Sequence, residues 1–179
     1  TDKRMALESR KRYWIVLSLL TLAIIADQVI KIAVKTSMQL GEGIMVFGDW
    51  FQIRFIENNG MAFGMELFDK VYLTGFRLVA VAFLVYLIVK LIKNREYPLG
   101  FVFSIAMILA GAVGNIIDCL FYGMVFNNPP APIVAEFVPF GTGYDELFYG
   151  RVVDMFYFPL VEWNWPEWLP FYGGEHFIF

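Results

Sequence analysis

The chain has 179 residues, 59% of them apolar, including nineteen Phe, nine Tyr and five Trp, against ~45–50% apolar in an ordinary soluble domain. A water-soluble fold of this size would expose much of that surface, so lipid must solvate part of the chain. The net charge of −3 without a basic stripe argues against nucleic acid as a partner, and one cysteine (Cys119) beside one histidine (His176) leaves no intrachain disulfide, no ordinary His/Cys zinc site and no other metal or cofactor expectation.

Residues 1–12 are basic and run straight into apolar sequence with no small-residue cleavage site, so a retained helix is expected rather than a cleaved leader. The first span covers about 13–34, the second 71–92 and the third 99–117. Each approaches the ~20 residues that cross a ~30 Å hydrocarbon core. The second carries only Arg77 near its start and Lys90 near its end, where long side chains can snorkel.

Five basic residues lie in 1–12, and Lys90, Lys93 and Arg95 follow the second span. Residues 36–70 hold only Arg54 and Lys70 against five acids, and 119–179 hold Arg151 against seven. The Lys/Arg bias therefore puts the N-terminus and the 90–98 link in the cytoplasm and both long connections outside. Within the first connection, 43–64 is rich in β-formers broken by Gly41, Gly43 and Gly48, which predicts a small sheet resting on the membrane. The second, 119–179, is rich in aromatics and Pro, and Trp163, Trp165 and Trp168 suit the headgroup zone.

Candidate chemistry rests on carboxylates. At 1.5 Å per residue Asp27 lies roughly 21 Å beyond Tyr13, and Asp118 roughly 28 Å along the third span, so parallel spans bring the two to similar depth. Ionisable groups inside spans default to a functional reading; the plain alternative for Asp27 is an i,i+4 pair with Lys31 that merely snorkels. Asn115 and Asp118 share a helix face beyond Gly111 and Gly114, small residues that also serve as simple packing positions. Glu57 to Gly64 reads as a turn between short strands or between a strand and a helix. Asp154 sits in the apolar run Val152-Val153-Asp154-Met155, where contact with apolar surface would tune a carboxyl for acid or base work, although a surface strand with one Asp looks the same. The four serines lack a nucleophile-elbow setting.

Four stretches in this order, Asp27 to Lys31, Asn59 to Gly64, Gly111 to Asp118 and Val152 to Met155, resemble the lipoprotein signal peptidases (signal peptidase II), membrane aspartic endopeptidases of bacteria. The stretch between Asp118 and Asp154 resembles the insertion of Bacteroidetes-type members. The resemblance implies an all-α polytopic membrane protein with a small periplasmic β-cradle, four spans expected and three present, all of 1–179 forming one membrane domain. It implies an enzyme of the bacterial inner membrane, a monomer with its site on the periplasmic side, that cuts the signal peptide from diacylglyceryl-modified prolipoproteins among membrane lipids.

By the same resemblance Asp154 is the first aspartate of a catalytic dyad. Asn115 and Asp118 bind substrate backbone and orient the dyad, Asp27 and Lys31 give structural support, and Asn59 and Gly60 hold the substrate. Two departures stand out. Cys119 replaces the Arg, a substrate-contacting cation, that usually follows Gly-Asn-x-x-Asp. The Phe-Asn-x-Ala-Asp motif of the second dyad aspartate has no match up to the last residue, Phe179. The second aspartate is therefore expected beyond Phe179, and a truncated, inactive polypeptide is the expectation for 1–179. The 127–170 insertion is expected to be an outer lid or interfacial platform. The alternative function is a non-enzymatic membrane scaffold or assembly subunit.

Overall fold

A computed structural model describes residues 2–58, 70–94, 96–159, 162–164, 166–168 and 176–178. Its long helices are α1 (Asp2–Ser37), α2 (Lys70–Lys93) and α3 (Leu99–Ile117). Leu7–Ser37, Tyr72–Lys93 and Leu99–Val125 are long and apolar enough to cross a membrane, which accounts for the three spans read from the sequence.

α3 is the centre of the bundle. It packs against both α1 and α2, which touch each other far less. Ala106, Ala110 and Gly114 recur every fourth residue and lie buried on one face of α3, letting helix backbones approach closely. Val16 of α1, Ile88, Leu91 and Ile92 of α2, and Val102 and Leu109 of α3 fill the space between them.

The third span does not stop at Ile117. The chain continues through a π-helical segment, Asp118–Tyr122, and a last turn, α4 (Gly123–Val125). Such wide turns inside helices recur at functional sites, and this one turns Asp118, Cys119 and Tyr122 all inward. The following stretch, 127–150, has no regular element of its own and folds back onto the helix end. The N–H groups of Val138, Gly141, Tyr144, Asp145 and Gly150 donate to the carbonyls of Val125, Met124, Phe126, Gly123 and Cys119, at 2.9–3.0 Å, satisfying groups that a helix terminus leaves open. A Cβ on Gly143 or Gly150 would overlap the carbonyl of Gly123 or of Asp118, so both approaches require glycine.

β1 (Gly43–Phe47) and β2 (Phe51–Asn58) form a hairpin within the stretch that the sequence marks as sheet. Gly48, at φ +54°, makes its turn. β3 (Val152–Tyr157) adds antiparallel to β2, in the order β1-β2-β3. β4 (Glu162–Asn164) and β5 (His176–Ile178) pair separately. Beneath the main sheet a second core joins Val34 of α1 and Met38 just beyond it to Phe55, Tyr122, Phe126, Val153 and Met155. Trp168 is 78% exposed.

Candidate active site

The functional side chains gather where the sheet meets the bundle. Lys31 lies three residues after Gln28 and four after Asp27, and Lys35 four after Lys31, so α1 presents all four together. The Lys31 ammonium donates to Asn115 Oδ1 at 2.8 Å and to Asp118 Oδ2 at 2.7 Å, and lies 3.3 Å from Asp27 Oδ2. Gln28 Nε2 donates to Asp118 Oδ1 at 3.0 Å, to the Gly114 carbonyl and to Asp27 Oδ2, both at 3.2 Å, while Gln28 Oε1 accepts the Tyr122 hydroxyl. Asp27, Lys31, Asn115 and Asp118 thus form one cluster, at the shared depth that helix rise anticipates. Lys31 is 3% exposed, so the snorkelling pair is not what forms.

Asp118 is fully buried and both its oxygens are occupied: Oδ1 by Gln28, Oδ2 by Lys31 and by the backbone N–H of Val153 at 3.2 Å. A buried carboxylate is tolerated only with such compensation. Gly114 belongs to the same arrangement, because a Cβ there would overlap the Asp27 carboxylate.

Asp154 stands in the opposite condition. The strand pleat sends Val153 and Met155 into the core and leaves Asp154 and Phe156 exposed. Its apolar sequence neighbours thus point to the other face, and the burial that the run suggested is not met. Asp154 lies across from Ile56 of β2, and Val153 across from Glu57. Asn59 and Gly60 lie outside the described residues, as do Trp165 and Phe179.

Several polar partners carried no local sequence signal. Arg77 turns inward from α2, and its Nη1 donates to Cys119 Sγ at 3.1 Å. Lys35 and Glu57 form a buried ion pair, and Arg151 reaches the same carboxylate. Tyr144 lies against both cations, and burial pushes its phenol above the ordinary range, against the pull of the Arg151 N–H that it accepts. Among the described residues no three His, Cys, Asp or Glu side chains come together as a metal-binding group.

A family model described as signal peptidase (SPase) II matches residues 19–127, the stretch that holds Asp27, Lys31, Asn115 and Asp118. A lipoprotein signal peptidase of Porphyromonas gingivalis is 52% identical over 165 residues, 92% of this chain and 72% of that protein. One from Amoebophilus asiaticus is 35% identical over 173 residues, 93% of this chain and 68% of that protein. Two solved structures, each described as a bacterial membrane enzyme, share the fold. One has a TM-score of 0.55 at 22% identity, covering 84% of this chain and 78% of its own. The other has a TM-score of 0.50 at 24% identity, covering 75% and 76%.

Proposed function

The chain belongs to the signal peptidase II family, the lipoprotein signal peptidases, and we propose that it cuts as an aspartic endopeptidase with Asp154 as one of its two working carboxyls. As a member of that family it is a membrane protease that removes lipoprotein signal peptides, and the scaffold alternative falls away.

One observation carries the assignment of Asp154: the two carboxyls linked through Val153, Asp118 and Asp154, are in opposite states. Asp118 is buried with both oxygens committed to Gln28, Lys31 and Val153. Asp154 is open on the exposed face of β3. In this reading Asp154 shares a water with a second carboxyl. One of the two acts as base toward the water, while the other, protonated, polarises the scissile carbonyl; like-charge proximity separates their pKa values enough for both roles. The water adds to the carbonyl carbon, and the peptide C–N bond breaks as the leaving amine takes a proton from the acid.

Asp118 acts through position. By holding the Val153 N–H it fixes the residue before Asp154, and Asn115, sharing the Lys31 ammonium, keeps that donor aimed. Asp27 packs on Gly114 and supports Lys31. Asn59 and Gly60 hold the substrate backbone. Arg77, lying against Cys119, supplies from α2 the cation that the family pattern places at position 119. The substrate is a diacylglyceryl-modified prolipoprotein, and the Lys/Arg bias puts the sheet end on the periplasmic side of a bacterial inner membrane.

The test is Asp154→Asn in the full-length protein. General acid–base groups contribute about 10²–10⁴-fold, so uncleaved prolipoprotein should accumulate while thermal unfolding stays unchanged. Cleavage at the wild-type rate would remove Asp154 from the chemistry.

A further inference from the structure

We propose that Glu57 is a positioning residue for the reaction, its carboxylate clamped between Lys35 and Arg151 so that β3 keeps the register that exposes Asp154. This rests on the reading of Asp154 given above.

The need for such a device follows from the sheet. Among the described residues β3 is an edge strand, paired on one side only, to β2. The pairing is already irregular, with a register shift between Ile53 and Ile56. Strand side chains alternate with period two, so a slip of one residue would carry Asp154 to the core face and bring Val153 or Met155 out. Something must fix the register at the start of β3.

Three contacts converge there. The side chain of Glu57, opposite Val153, is 3% exposed; one of its oxygens pairs with Lys35 from the last turn of α1, and the other receives Arg151 Nη1 at 3.2 Å. Arg151 immediately precedes β3, and its backbone N–H donates to the Tyr144 hydroxyl at 2.7 Å. Lys35, 1% exposed, lies 5.3–5.6 Å from the ring centroids of Tyr144, Phe126 and Phe55, within range for cation–π attraction. The clamp thus joins the end of the first span, the central strand and the 127–150 stretch at one carboxylate. Gly150, whose N–H donates to the Cys119 carbonyl at 2.9 Å, anchors the residue before Arg151 to the third span.

Stability alone does not explain a buried Lys–Glu pair, since apolar residues of similar volume commonly do as well or better. Specifying one strand register out of two does explain it. The 127–150 stretch then serves as a buttress that returns the chain to β3 in a single alignment, with Tyr144 as its contact.

The experiment separates alignment from stability. Glu57→Met, Lys35→Met and the double variant are made in the full-length enzyme, with thermal unfolding and the kinetics of cleaving a lipidated prolipoprotein measured for each. Glu57→Met leaves Lys35 as a lone buried charge, and Lys35→Met leaves Glu57 with Arg151 as its remaining cation; both should lower Tm, the first by more. The double variant removes both charges and should recover Tm, yet Arg151 still lacks its carboxylate. Its kcat should stay about tenfold to a hundredfold low with KM near wild type, the size expected from small misplacement of a reacting group. Tyr144→Phe keeps the ring and removes only the oxygen that accepts the Arg151 N–H; kcat should fall with little change in Tm. Wild-type kcat in the folded double variant, or in Tyr144→Phe, would overturn the proposal. Asp154→Asn is the reference arm: if it cleaves normally, both the reading of Asp154 and the clamp's purpose fail. If it is inactive beside a fully active double variant, the clamp alone fails.

Discussion

Asp118 accepts the backbone N–H of Val153 at 3.2 Å, tying the buried end of the third span to the residue next to Asp154. The same oxygen takes the Lys31 ammonium at 2.7 Å. The carboxylate is therefore a joint between α1, α3 and β3, and its removal should be felt in all three.

Asp118→Asn tests that joint. The amide offers one acceptor where the carboxylate offers two, and its NH₂ must face either Lys31 or Gln28, both donors. Breaking one side of a buried pair costs about 3–5 kcal/mol, and Lys31 keeps Asp27 at 3.3 Å, which favours the lower end. Tm and cleavage should both fall, whereas Asp154→Asn should lose cleavage alone. Unfolding curves of the two variants side by side decide it; an Asp118→Asn protein with wild-type Tm would rule out the joint.

The two glycines of the Gly111 to Asp118 stretch should respond in opposite directions. A Cβ on Gly114 would overlap the Asp27 carboxylate, while one on Gly111 meets nothing within 4 Å. Gly114→Ala should destabilise by ~1–3 kcal/mol, as overpacked sites do. Gly111→Ala should be neutral or stabilise by up to ~1 kcal/mol through helix propensity. Combining Gly114→Ala with Asp27→Ala should cost less than the sum of the single changes, because the two share one contact. Strict additivity in thermal unfolding would mean that Asp27 does not pack on Gly114.

Asp27, Lys31, Asn115 and Asp118 were legible in the sequence for a physical reason. Charged groups inside apolar spans are costly enough to demand a partner, and helix rise gives their depth without a structure. The hairpin at 43–58 was legible from its β-formers and glycines. Gln28 and Tyr122 were not, because an uncharged Gln or Tyr in a span costs too little to demand a partner and has no period to read. Lys35, Glu57 and Arg151 each looked like an ordinary charge at an element's end, and only β3 pairing with β2 brings them to one point. The extension of the third helix beyond Ile117 was hidden for another reason: the π-helical segment carries no composition of its own. Asp154 stands out in the sequence as an acid among apolar residues, but strand alternation turns those neighbours away from it.

Arg77 illustrates the same limit and yields a sharp experiment. By sequence it is a cation near the start of a span, free to snorkel; in the fold its guanidinium is 3.1 Å from Cys119 Sγ. If Arg77 supplies the substrate-contacting charge, Arg77→Met should lower cleavage about tenfold to a hundredfold, the ~1.5–3 kcal/mol of a hydrogen bond to a charged group. Adding Cys119→Arg to that variant returns a cation from the neighbouring helix and should recover much of the loss. Cys119→Arg alone would set two guanidinium groups against each other and should lower activity instead. Cleavage rates of the three variants in lipid, corrected for folded fraction, give the answer. Wild-type cleavage by Arg77→Met would show that the charge beside Cys119 is not used, and failure of the double variant to recover would tie the role of Arg77 to its own place on α2 rather than to its charge.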